Sequence, residues 1–115
     1  MNIGVDFDFT ITSNPAKFSE LLNILARSAN IYIISSYSGD TSATLEEAYA
    51  SKKKQLGEWG IKYKELFLLG NPIPKNKAKL CAEYGIDVMI DDDINNLEEI
   101  YREAKGTICL QFKEW

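Results

Sequence analysis

The stretch Val5-Asp6-Phe7-Asp8-Phe9-Thr10 decides how this chain is read. The short apolar segment Ile3 to Val5 runs straight into two aspartates spaced i, i+2. In an extended chain those positions point to one side, so both carboxylates are aimed together from the end of a buried strand. Like charges this close oppose each other's ionisation unless a cation or a shared proton intervenes. Such a pair serves hard-metal binding, nucleophilic attack or proton transfer. Phe7, between the two, is expected to face the opposite way, into the core.

Working outward, short apolar runs alternate with amphipathic stretches. Asn2–Phe7 reads as a strand. Asn14 caps a helix with Pro15 at its first position, and Phe18, Leu21, Leu22 and Leu25 recur at helical spacing. Ile31 to Ile34 is a β-rich run ending in Ser35-Ser36. A second helix, capped at Asp40 or Thr41, carries Leu45, Tyr49, Leu56 and Trp59 on one face and stops at Gly60. Leu66–Leu69 is a third strand, closed by Gly70-Asn71-Pro72. A helix runs from about Asn76 to Tyr84, with Gly85 as its stop. Asp87–Ile90 is a fourth strand, followed by Asp91-Asp92-Asp93. Ile94, Leu97, Ile100, Tyr101 and Ala104 mark a last helix, capped by Asp93 and ended by Gly106, before an edge strand at Thr107–Phe112. The alternation predicts an α/β domain spanning 1–115: a three-layer, Rossmann-like sandwich around a five-stranded parallel sheet.

Ligands bind beyond the carboxyl ends of the strands in such a sheet. The first strand brings Asp6 and Asp8 there, the second Ser35 and Ser36, the fourth Asp91 and Asp92. If strands one and four are neighbours, four carboxylates converge, and an all-oxygen set of that kind favours Mg2+. Lys75 and Lys77, at the start of the third helix, add a cation where the helix dipole disfavours one, as expected beside an anion. Asp93 is set apart as a helix cap, and Lys52-Lys53-Lys54 reads as a solvated helix face.

Composition narrows the function classes. The 115 residues are 45% apolar or aromatic, enough for a real core, and the net charge of −4 disfavours a nucleic-acid binder. There is no histidine, so polar chemistry rests on carboxylates, lysines, hydroxyls and backbone amides. Cys81 and Cys109 match no metal or redox spacing and read as buried, reduced thiols. No leader or membrane-spanning stretch is read, and the expected location is the cytoplasm.

The motifs in this order resemble those of the haloacid dehalogenase superfamily, in its phosphatase branch, over essentially the whole chain. Asp6-Phe7-Asp8-Phe9-Thr10 is similar to its Asp-x-Asp-x-Thr motif, although the family most often has glycine where Phe9 stands. Ile31–Ser35 is similar to its second motif, Lys77 rather than Lys75 to its third, and Val88–Asn96 to its Asp-Asp-x-x-x-Asn motif. The resemblance implies a capless, Mg2+-dependent phosphomonoesterase with a nucleotidase-like leaning. In it Asp6 would form an aspartyl-phosphate, Asp8 would act as acid and base, and Ser35, Ser36 and Lys77 would hold the phosphoryl group. The metal would sit on Asp6, the Asp8 carbonyl and Asp92, with Thr10, Asp91 and Asn96 in support. Its partner would be a phosphorylated substrate, either a small molecule or a macromolecule end. The open site leaves any lid to be supplied by a second subunit. Two other classes stand beside this one. A receiver-type phospho-acceptor domain would need an aspartate ending the third strand, where this chain has Leu69-Gly70-Asn71. A non-catalytic binding protein of the same fold would keep the pocket without turnover.

Overall fold

The computed structural model describes residues 1–37 and 43–114. Along them run β1 (Asn2–Val5), a 3-10 turn (Ile11–Ser13), α1 (Pro15–Leu25), β2 (Asn30–Ser36), α2 (Leu45–Glu58) and β3 (Glu65–Leu69). α3 (Ile73–Glu83), β4 (Val88–Asp91), α4 (Ile94–Glu103) and β5 (Ile108–Gln111) complete the order. The strands form one parallel sheet in the order β3-β2-β1-β4-β5. β1 is central, with β2 and β4 at its sides, and β5 lies at an edge as expected. The fold is therefore the anticipated three-layer α/β sandwich without a cap.

Each face of the sheet carries its own core. Ile3, Val5, Ile31, Ile33 and Leu66 pack with Phe18 and Leu22 of α1 and Leu56 of α2. Tyr32, Ile34 and Met89 pack with Ala78, Leu80 and Cys81 of α3 and Leu97 and Ile100 of α4. Phe7 is buried in the first of these cores, as its strand phase requires. Cys81 is buried, whereas Cys109 is only partly so, and both are free thiols.

Local chemistry explains where the elements start and stop. Asn14 Oδ1 accepts from Lys17 N at the head of α1, and Asp93 Oδ1 accepts from Asn95 N at the head of α4. α2 is closed by a reciprocal pair: Thr44 Oγ1 accepts from Glu47 N, and Glu47 Oε1 accepts from Thr44 N. The expected caps Asp40 and Thr41 lie outside the described residues. Several boundaries differ from expectation by a residue or more, and two of them bear on the site. β1 ends at Val5 instead of Phe7. α3 begins at Ile73 instead of Asn76, because Pro74 sits within its first turn, where a missing N–H costs nothing. Lys77 therefore lies one turn inside the helix rather than at its tip.

Gly4, in the middle of β1, has no room for a side chain. A Cβ there would stand 2.7 Å from Met89 Sδ and 2.9 Å from Ile34 Cδ1. Gly4→Val is expected to lower stability by about 1–3 kcal/mol, the usual range for overpacking, as a lower urea midpoint. An unchanged midpoint would show that this layer yields freely.

Candidate functional site

The carboxyl edge of β1 and β4 holds a buried charge cluster. Lys77 reaches in from α3, with its Nζ 2.7 Å from Asp6 Oδ1 and 2.7 Å from Asp91 Oδ2. The lysine side chain is 1% exposed and that of Asp91 is fully buried. Thr10 Oγ1 lies within hydrogen-bonding reach of both Asp6 Oδ2 (3.2 Å) and Asp92 Oδ1 (3.3 Å). Asn96 Nδ2 donates to Asp91 Oδ2 and the Asp93 amide donates to Asp91 Oδ1, so both Asp91 oxygens are engaged. Asp6, Asp91 and Asp92 each offer an oxygen, and these three lie within 4.8 Å of one another. They are the residues placed to hold a cation.

Burial sets the proton affinities here. Burial pushes the Asp6 carboxyl up; the nearby Lys77 ammonium opposes this and the Asp91 carboxylate adds to it, leaving it at about 7. Burial draws the Lys77 ammonium down, but the Asp6 and Asp91 carboxylates outweigh it and hold its pKa above the ordinary lysine value. Without a metal, the cluster therefore keeps one proton more readily than separate groups would.

The expected site residues divide. Asp6, Thr10, Lys77, Asp91, Asp92 and Asn96 come together. Lys75 is on the surface. Asp8 does not join them: its half-exposed carboxylate faces Lys52 of α2, 3.4 Å away. The physical reason is that β1 ends at Val5. The following residues leave the extended conformation, and the i, i+2 rule no longer holds for Asp6 and Asp8. Lys52 also differs from expectation, since its side chain is mostly covered and its Nζ sits 4.3 Å above the centre of the Phe7 ring. Ser35 is fully buried at the end of β2, beside β1. Its Oγ is the buried side-chain polar atom without a partner among the described residues. Ser36 is half-buried and ends the pairing with β3 opposite Leu69.

Phe9 has a backbone φ of +60°, in the left-handed region that favours glycine, and is the one such non-glycine residue among those described. Thr12 Oγ1 accepts from its amide at 2.9 Å, and Ser13 Oγ donates to its carbonyl at 2.8 Å. These bonds hold a conformation that costs roughly 1–2 kcal/mol.

No protein-family model matches the chain, and no curated protein does. Solved structures do. One is a protein of the universal stress protein family from Burkholderia pseudomallei, 15% identical, with 96% of each chain covered and a TM-score of 0.55. Another is a universal stress protein in complex with cAMP, 13% identical, covering 96% of this chain and 97% of that one, with a TM-score of 0.56. At these identities the likeness is one of fold. It corrects the expected resemblance to the haloacid dehalogenase superfamily, because these two solved structures are universal stress proteins, with a different Rossmann-like fold. The expected phosphatase falls with it, including its hydrolase chemistry and aspartyl-phosphate step. The physical reason is that an open parallel sheet presents the residues after its strands at one edge whatever chemistry they serve. Acids after β1 and β4 therefore do not by themselves define a reaction. Among the described residues, no helix is long and apolar enough to cross a membrane.

The raised Asp6 pKa has a measurable sign. Between pH 3.8 and about 7 the folded chain binds the Asp6 proton and the unfolded chain releases it. The associated stability is complete below pH 3.8 and is lost as pH rises through 7. With no histidine in the chain, little else among the side chains titrates near neutrality. Chelator-treated protein is expected to lose about 2 kcal/mol between pH 5.5 and pH 8 in urea unfolding. Asp6→Asn is expected to flatten that slope, and a wild-type stability that is level across the interval would contradict the assignment.

Proposed function

We propose that the chain binds a phosphorylated small molecule at the carboxyl edge of its sheet, through a Mg2+ ion held by Asp6, Asp91 and Asp92. The carrying observation is the charge balance of the cluster. Three carboxylates surround one ammonium, leaving a net charge of −2 when all are ionised. An anionic ligand enters such a site only behind a cation, and oxygen donors without nitrogen or sulfur suit magnesium. Ser35 supplies independent support. A buried hydroxyl without a partner carries a desolvation cost, which a phosphate oxygen at this edge relieves. The same fold holds a phosphorylated small molecule in the universal stress protein in complex with cAMP. The activity proposed is binding, and no hydrolytic step is assigned. The two free thiols suit a reducing compartment, and we place the protein in the cytoplasm on that ground.

Thermal unfolding tests the cation. Mg2+ at a hundredfold excess over its dissociation constant adds about 2.7 kcal/mol, a rise of several degrees, and Asp92→Asn is expected to remove most of it. Calorimetry with ribose 5-phosphate in excess Mg2+ tests the ligand. Ser35→Ala is expected to weaken that binding several-fold while leaving the melting temperature unchanged or higher, since it deletes an unsatisfied group. A melting temperature indifferent to Mg2+ and chelator, with no heat from ribose 5-phosphate, would sink the proposal.

A further inference from the structure

Phe9 combines two costs that glycine would avoid. Its backbone lies in the left-handed region, and the residue is 75% exposed, the most of any large apolar residue among those described. It contributes little to the core, so packing does not account for it. Its neighbours fix its place. Thr10, the next residue and about 3.8 Å away between Cα atoms, bonds with Asp6 and Asp92 of the charge cluster. Asp8, the preceding residue, is tied to Lys52. Thr12 and Ser13 hold the Phe9 amide and carbonyl. The backbone that carries the ring is thus pinned at the rim of the cluster while the ring itself stands in water.

We propose that Phe9 is a stacking platform for an aromatic ring on the phosphorylated ligand, so that the site selects a phosphate ester bearing a nucleobase-like group. The inference rests on the proposed phosphate site and adds the class of molecule it takes. An apolar ring held in place loses little freedom when a second ring lies on it, and base–aromatic stacking gains about tenfold or more in affinity. The phosphate end is held by the cation and Ser35, and the flat end by Phe9.

Calorimetry of the full chain in excess Mg2+ tests this with two probes, AMP and ribose 5-phosphate, which share the phosphate and differ in the base. Wild type is expected to favour AMP about tenfold. Phe9→Gly and Phe9→Asn both suit the left-handed backbone and lack the ring. Both are expected to lose the preference for AMP, to keep the affinity for ribose 5-phosphate, and to melt at the same or a higher temperature. Phe9→Trp is expected to retain the preference. An unchanged AMP-to-ribose-phosphate ratio in the ringless variants would overturn the role of Phe9 and leave the phosphate site standing. No binding of ribose 5-phosphate by wild type would overturn the site itself, and this inference with it.

Discussion

One ammonium between two carboxylates organises this molecule. Lys77 Nζ stands 2.7 Å from both Asp6 and Asp91, in a place almost closed to water. Three ions out of water carry a desolvation penalty of several kcal/mol each, which their attraction offsets only if the geometry is good and the spare lone pairs are bonded. That condition is met by Thr10 against Asp6 and by Asn96 and the Asp93 amide against Asp91. The triad ties the ends of β1 and β4 to α3. Removing Lys77 alone would strand two buried carboxylates, a loss of about 3–5 kcal/mol in comparable cases. Replacing all three members with packed apolar groups would be far less harmful. The cluster is therefore better understood as a site the fold tolerates than as a source of stability.

The adjacency of β1 and β4 is what makes the cluster possible. The order β3-β2-β1-β4-β5 puts the chain's first and fourth strands side by side. Asp6 donates its amide to Ile90 O, continuing the β1–β4 pairing one step past the strand. Residues some 85 positions apart thereby bring carboxylate oxygens within 4.8 Å of one another. Asp92 is the least buried of the three carboxylates, so the cluster faces the solvent through it.

Much of this was legible from residue pattern alone. Short apolar runs alternating with amphipathic stretches mark the strands, and convergence of acids at one edge follows from strand direction. Where the reading failed, the causes are physical. Asp8 was grouped with Asp6 on an extended-chain rule that stops applying after Val5. The start of α3 was hidden because proline is usually read as a breaker, yet it is harmless in a first turn. The Thr44-Leu45-Glu46-Glu47 capping signature was present and outranks the more distant Asp40. Lys52 had no local signal, since its partner Asp8 is 44 residues away. The reaction class is not legible because a common α/β topology hosts many chemistries. The two solved structures described above that share the fold are universal stress proteins.

The cap of α2 has a consequence for how the chain tolerates change in length. Thr44 and Glu47 fix where the helix begins, and Lys52 lies about two turns further on. Each helical residue advances the side-chain direction by about 100°. One residue inserted between Thr44 and Lys52 would swing the ammonium away from both Asp8 and the Phe7 ring, whereas one inserted ahead of Thr44 leaves the angular phase untouched. The link between α2 and the segment after β1 is thus sensitive to insertions on one side of a single threonine and indifferent to them on the other.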